Sequence, residues 1–377
     1  MRVLTLTPFY PMASDDALGC FVAEPIRVLE DFDVVSCVVA VQPFYKPRPI
    51  PNGHPAEWIR YPAIPCGTGL ASAGRFLYAT LFSKVRQLHK CQRIDLMHAH
   101  AALPCGHAAM LLSRALGIPF VVTVHGLDVF FDLQVSGYGG RWCRRVTHSV
   151  YDAAARVICI SSKVADAMAN SELEAKLTVI HNSVDISLFS AEYSHAERPK
   201  ILSIGNLIPA KGHELLLRAF ALLHQRFPSV ACDIIGDGPE RSPLIRLAEE
   251  LNIGSKVRFL GRQGRRQVAD AMQRCMIFAL PSSFEGLGCV YLEAMSAGKP
   301  AIACRGQGIE DVMRHGHNGW LIAAHDLPGM ADALSNLLQN AALRQRIGSE
   351  ARKSIVEGYT LAHQAGRLAQ LYGECAA

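Results

Sequence analysis

The chain is short of charge, of aromatic rings and of long apolar runs, and each shortage narrows what it can be. Only 19% of its 377 residues are charged, 7% are aromatic and half are hydrophobic, with a mean hydropathy of +0.16. That composition excludes a disordered or collagen-like chain and supports a large buried core. Lys and Arg (38) barely exceed Asp and Glu (33). Nucleic-acid surfaces concentrate their basic charge, so no nucleic-acid partner is expected. Apolar stretches such as Pro119–Val124 and Val157–Ile160 end well before the roughly 18 residues of a membrane span. Met1–Pro8 reads as a short strand stopped by proline. It lacks the apolar core and small-residue cleavage site of a signal peptide, so a cytoplasmic protein is expected. Twelve cysteines are scattered with no Cys-x-x-Cys. Reduced, mostly buried thiols are expected rather than a zinc knuckle or a redox pair.

What the chain does have is a steady alternation of short β-branched runs and helical patterns. Strands are expected at Arg2–Thr7, Val34–Val41, Phe120–His125, Val157–Ser161, Ile201–Gly205, Ala231–Gly236, Val257–Leu260, Ile277–Pro281 and Pro300–Cys304. Helical stretches such as Gly106–Leu116, Gly212–Arg226 and Pro243–Leu251 lie between them. Fully apolar strands separated by amphipathic helices predict parallel sheets covered on both faces. The polar, aperiodic stretch from Phe189 to Pro199 reads as a linker between two strand–helix series. The expected organisation is a first domain over 1–190, a linker over 191–199 and a second domain over 200–360. Two such halves would place ligands at the carboxyl ends of their strands.

The richest chemistry lies in Pro281–Met295, where a strand ends at Pro281 and a helix is expected to begin near Gly288. Gly286, Leu287 and Gly288 at a helix N-terminus suit an anion such as a diphosphate. Glu285 sits in the preceding loop and Glu293 along the helix, so one carboxylate can meet a sugar and the other a ribose. In Ser203–His213, Lys211 before the helix-starting Gly212 can reach a phosphate as a point charge. Gly19 follows the first strand, where backbone can approach phosphates closely. Histidines 98, 100, 107 and 125 sit at strand ends or helix starts, without a carboxylate or cysteine at ligand-like spacing; no metal site is expected. Leu70–Ile94 and Gln134–Tyr151 are basic and free of Asp and Glu. They read either as solvated helix faces or as a surface for anionic lipid headgroups.

Taken in order, these motifs resemble glycosyltransferase family 4, the group 1 glycosyl transferases. The resemblance rests on Tyr10-Pro11 with Gly19, His98-Ala99-His100, Thr123-Val124-His125-Gly126, Cys159-Ile160-Ser161, His181-Asn182-Ser183-Val184-Asp185, Lys211-Gly212, and the Glu285-(seven residues)-Glu293 motif. It covers nearly the whole chain. It implies an α/β chain of the GT-B fold, two Rossmann-like domains facing each other across a cleft. It also implies that the C-terminal helix, about 361–377, crosses back to the first domain. Retaining, metal-independent hexosyl transfer from a nucleoside-diphosphate sugar to a glycan or lipid-linked acceptor follows as the implied activity. No separate cofactor is implied, and the implied setting is bacterial surface polysaccharide assembly, with an anionic inner-membrane surface as a further expected partner.

By the same resemblance Lys211 pairs with the diphosphate, helped by Gly19, Asn206 and the amides of Gly286, Leu287 and Gly288. Glu293 holds the ribose and Glu285 a donor-sugar hydroxyl. His125, Glu285 and Lys211 are the implied catalytic set, with Asp128 and His100 on the acceptor side. Asn206 stands where the family often has arginine, which shifts the diphosphate's charge onto Lys211. Ser183 stands where glycine is common. The competing expectation is a UDP-sugar 2-epimerase on the same architecture. A dinucleotide oxidoreductase is disfavoured because Gly236-Asp237-Gly238 lacks the third glycine of its fingerprint.

Overall fold

The computed structural model describes residues 1–13, 15–47, 56–64, 69–126, 137–169, 173–191 and 199–376. The chain forms two compact units, Met1–Asn182 with Leu361–Ala377, and Ser183–Thr360.

In the first unit, β1 (Arg2–Thr7), β2 (Val35–Pro43), β3 (Glu57–Tyr61), β4 (Leu96–His100), β5 (Phe120–Val124), β6 (Arg156–Cys159) and β7 (Leu177–Val179) form one sheet. Its order is β3-β2-β1-β4-β5-β6-β7 and every pairing is parallel. The connections carry α1 (Cys20–Val28), α2 (Leu70–Cys91), α3 (His107–Leu116), α4 (Gly137–Ala153) and α5 (Ser162–Met168). β4 and β5 are buried along their whole length, as inner strands of a sheet covered on both faces are.

The second unit repeats the plan. Strands β8 (Lys200–Ile204), β9 (Ala231–Ile235), β10 (Val257–Phe259), β11 (Ile277–Ala279), β12 (Ala301–Cys304) and β13 (Trp320–Ile322) run parallel in the order β10-β9-β8-β11-β12-β13. Helices α6 (His213–Leu223), α7 (Arg241–Glu250), α8 (Arg265–Arg274), α9 (Cys289–Ser296), α10 (Leu327–Gln339) and α11 (Ala341–Gly358) complete it. α12 (Leu361–Ala376) belongs to the first unit, where Ala365, Leu368, Leu371 and Tyr372 pack on Val3, Leu96, Val121 and Ile158.

The order of each sheet reverses once, between β1 and β4 and between β8 and β11. Neighbouring crossovers leave the sheet in opposite directions at such a point, which opens a crevice at the carboxyl ends of the strands. Gly19 and His100 follow or end β1 and β4, whereas Lys211 and Glu285 follow β8 and β11. Those crevices are therefore where the motif residues lie.

The boundary between the units differs from the expected one. Residues 183–190 belong to the second unit, although the first domain was expected to run to residue 190; residues 192–198 of the expected linker lie outside the described set. The reason is a set of contacts invisible in composition. The Phe189 carbonyl accepts from Ser296 Oγ at 2.8 Å and Arg352 Nη1 at 2.9 Å, and Gln273 donates to Ser190 Oγ at 3.0 Å. Three short strands, β3, β7 and β13, were not singled out in the sequence. The first two stand at the sheet's edges and are only partly buried, so they carry little hydrophobic signal.

Candidate functional site

Lys211 sits at the end of a short 3-10 turn (Pro209–Lys211) after β8, and Gly212 then opens α6. Gly212 has φ +70, and a Cβ there would lie 2.2 Å from the Pro281 carbonyl oxygen. Glycine is required on both counts, since the left-handed conformation and the close approach each exclude a side chain. That approach presses the Lys211 turn against the loop after β11. Ser283 donates its backbone N–H to the Ala210 carbonyl at 2.9 Å, and Ser282 Oγ donates to the same oxygen at 3.0 Å. Two loops 72 residues apart in sequence are thereby locked together.

The result is an ion pair between Lys211 Nζ and Glu285 Oε1, both largely buried. Glu285 is held from behind as well, because its backbone N–H donates to Gln307 Oε1 at 2.8 Å. Gly288 then caps α9 with φ +82, so α9 begins four residues after Glu285. Tyr291 anchors that turn by donating its hydroxyl to the Leu280 carbonyl at 2.5 Å. A lysine, a carboxylate and the positive end of a helix dipole thus meet at one sheet's switch point. That arrangement can hold an anion while presenting a carboxylate to a neighbouring hydroxyl.

His213, one residue beyond Gly212, is buried and its Nδ1 meets Ser203 Oγ at 3.2 Å. Burial, and then the Lys211 charge, push its pKa down to about 4. It therefore stays neutral beside Lys211 at neutral pH. Asn206 is exposed, with its carbonyl accepting from the Ile208 N–H at 2.9 Å.

Glu293 does not join Lys211. It forms a buried ion pair with Arg265, whose guanidinium also lies 4.6 Å from the centre of the Phe189 ring. Arg265, Gln307 and Phe189 were missed in the sequence. Arg265 opens α8 inside a basic Arg-Arg string, and nothing local distinguishes it from a solvated surface arginine. The two side chains are only 8% and 7% exposed. Removing one member strands a charge in the interior, so Arg265→Leu is expected to cost about 3–5 kcal/mol. Urea unfolding of the variant measures this. Arg265→Leu combined with Glu293→Met should recover most of the loss, and failure of Arg265→Leu to destabilise would refute the pair's importance.

In the first unit, Gly19 caps α1 with φ +82, and a Cβ there would lie 2.8 Å from the Tyr10 backbone. His98 and His100 alternate along β4 and point to the same face, as period-two geometry dictates. His98 Nε2 meets Thr123 Oγ1 at 2.7 Å, and its Nδ1 meets the Tyr372 hydroxyl of α12 at 2.6 Å. His100 Nδ1 meets His125 Nε2 at 3.0 Å, with the rings nearly parallel. Phe9 and Phe21 approach His125 by their edges, at centroid distances of 5.4 and 5.0 Å. Burial lowers the pKa of His98 and His125 to about 3, and that of His100 well below its ordinary value. The three imidazoles are therefore neutral, and His100 orients His125 rather than facing outward itself. Asp128 lies outside the described residues. An Asp-x-Asp string not singled out above, Asp31-Phe32-Asp33, lies in the turn before β2. It is at the amino-terminal ends of the strands, opposite the motif residues, where the Asp33 carbonyl accepts from the chain's amino group at 2.6 Å.

No helix among the described residues is long and apolar enough to cross a membrane. The described cysteines are all free, and Cys20, Cys105, Cys143, Cys159, Cys232, Cys275 and Cys304 are buried.

Comparison with known proteins agrees with the geometry. Residues 33–188 match the model of Glycosyltransferase Family 4, and residues 187–354 match that of the Glycosyl transferases group 1. The chain is 28% identical to the N-acetyl-alpha-D-glucosaminyl L-malate synthase of Bacillus anthracis, over 74% of each chain. It is 27% identical to the glycogen synthase of Mycobacterium tuberculosis, over 80% of this chain and 74% of the relative. Among solved structures, the sucrose-phosphate synthase of Thermosynechococcus elongatus superposes with a TM-score of 0.80, at 20% identity over 99% of both chains. Anabaena HepE in complex with UDP-glucose superposes with a TM-score of 0.76, at 21% identity over 99% of this chain and 100% of that one. With two parallel-sheet units and consecutive family matches from residue 33 to residue 354, the chain belongs to the group 1 glycosyltransferases of family 4 and has the GT-B fold.

Proposed function

We propose that this protein moves a hexosyl unit from a nucleoside-diphosphate sugar to a glycan or lipid-linked acceptor in bacterial surface polysaccharide assembly, with retention of configuration and without a metal ion. The observation that carries the reading is the meeting of Lys211, Glu285 and the N-terminus of α9 at one switch point. Departure of a nucleoside diphosphate builds negative charge on its oxygens and oxocarbenium character on the sugar. A fixed ammonium and a helix dipole aimed at those oxygens stabilise that change more than the ground state. An ammonium has three N–H donors, so the bond to Glu285 leaves Lys211 two more for phosphate oxygens. Glu285, held by Gln307, is then placed for a sugar hydroxyl, and Glu293 for the ribose. His125, neutral and oriented by His100, is assigned to the sugar near the reacting carbon.

The HepE complex with UDP-glucose makes UDP the first nucleotide to test. Retention is assigned to a front-face departure, and trapping a covalent glycosyl-enzyme with a slow donor analogue would overturn it. Placement at the inner face of a cytoplasmic membrane rests on the exposed Arg86 and Lys90 of α2; Lys84 on the same helix is answered by Glu57.

Thermal shift against UDP, GDP, TDP, ADP and NAD tests the donor site. A nucleotide at about 100 times its dissociation constant stabilises by roughly 2.7 kcal/mol. One nucleoside diphosphate is expected to raise the melting temperature of the wild type and not of Lys211→Ala. A shift with NAD alone would refute the transferase reading. Release of nucleoside diphosphate only when acceptor is present separates transfer from epimerisation.

A further inference from the structure

The outer side of the first unit is hollowed between α2, α3 and α4 into a cavity of about 680 Å³. Its position follows from helical spacing. Arg75 projects one turn after Ala71 on α2, Arg114 two turns after His107 on α3, and Arg141 and Arg145 stand one turn apart on α4. Four guanidiniums therefore converge on one hollow, and the described residues lining it include no carboxylate. Among the described residues none of the four has an ion-pair partner; Arg141 lies over the Tyr138 ring, 5.7 Å from its centre. Trp142 and Tyr138 line the same hollow with exposed rings. His107, at its floor, is held neutral by burial and by the charge of Arg75, with Arg114 acting in the same sense.

Like charges gathered without counter-charges repel one another, and an anion in their midst relieves that repulsion. The planar fork of a guanidinium matches phosphate oxygens two at a time. The volume falls within the range of small-molecule pockets, and its concavity suits a discrete ligand better than a flat bilayer. The exposed aromatic rings add amphipathic faces, of the kind that pack on a sugar ring. α3 and α4 follow β4 and β5, so their first turns, with His107 and Tyr138, lie at the carboxyl ends of the strands, the end where His125 stands.

We propose that this pocket binds a phosphorylated sugar of the acceptor, with Arg75, Arg114, Arg141 and Arg145 taking the phosphate and Trp142 and Tyr138 the sugar. Naming the ligand an acceptor rests on the transferase reading; binding of the phosphorylated sugar does not. Isothermal titration of the full chain with glucose 1,6-bisphosphate, with glucose as the neutral control, tests it. Saturable binding of the bisphosphate and none of glucose is expected. Arg141→Gln with Arg145→Gln should weaken it about tenfold or more, whereas Lys211→Ala should leave it unchanged. The paired variant should retain the wild-type response to nucleotide, which shows that it is folded. Absence of binding, or binding indifferent to the two arginines, would overturn the proposal. Arginine-dependent binding of phosphatidylglycerol vesicles without binding of the bisphosphate would overturn it in favour of a lipid surface. Bisphosphate binding in a protein that answers no nucleotide would leave the pocket standing and remove the transferase reading alone.

Discussion

Lys211→Ala lowers kcat by about 10²–10³-fold at saturating donor, the loss expected when one preorganised donor to a developing negative charge is removed. The site has little to compensate with. Asn206 carries no charge, and His213 is neutral because burial and Lys211 itself hold its pKa near 4. The substitution also leaves Glu285 without its ion-pair partner, so a carboxylate now stands beside the departing diphosphate. Lys211→Arg restores the charge but not the compact ammonium, and should recover only part of the rate. Steady-state kinetics that resolve kcat from KM decide the matter. A fall confined to KM would mean that Lys211 binds the ground state and transition state equally, and a kcat within about tenfold of wild type would remove it from the catalytic set.

Mild acid is expected to unfold the first unit before the second. His98, His100 and His125 are held neutral by burial, with pKa values of about 3 for His98 and His125. In the unfolded chain each titrates near 6.5. Below that pH the unfolded state takes up protons that the native state refuses, so stability falls as pH falls. The slope approaches about 1.4 kcal/mol per pH unit for each such histidine. Full stability is regained above pH 6.5, and the loss continues down towards pH 3. Among the described residues of the second unit only His213 has a resolved downward shift, so its slope is shallower. Calorimetry between pH 7 and 5 should show an early transition that separates from a later one. His98→Gln should remove about one proton from the slope of the early transition, because glutamine does not titrate while still offering hydrogen bonds to Thr123 and Tyr372. Coincident transitions with no pH dependence would mean that the cluster is already charged in the native protein.

Much of the site is local in sequence and was legible there. Lys211-Gly212, Glu285 and the glycines before α9 announce a loop entering a helix N-terminus. β-branched runs such as Phe120–Val124 announce buried parallel strands, because an unbroken apolar run suits only a sheet covered on both faces. The partners of the charged groups were not legible. Glu285 and Glu293 stand in one motif, yet the first meets Lys211, 74 residues away, and the second meets Arg265, 28 residues away. Glu285 precedes α9 and Glu293 lies in its second turn, so the helix carries the two carboxylates to different neighbours.

The same holds for the unit boundary, where Phe189 and Ser190 are claimed by Ser296, Arg352 and Gln273. It holds for His98 too, whose partner Tyr372 follows 274 residues later, after the whole of the second unit. Most element types, their parallel arrangement and the motif residues were readable from the chain alone, because each depends on spacing within a turn or a strand. Packing between distant elements set which cation answers which carboxylate, which histidines stay neutral and where four arginines gather around one hollow. Those depend on which elements are packed together, and on the interior's refusal to hold a charge without a counter-charge.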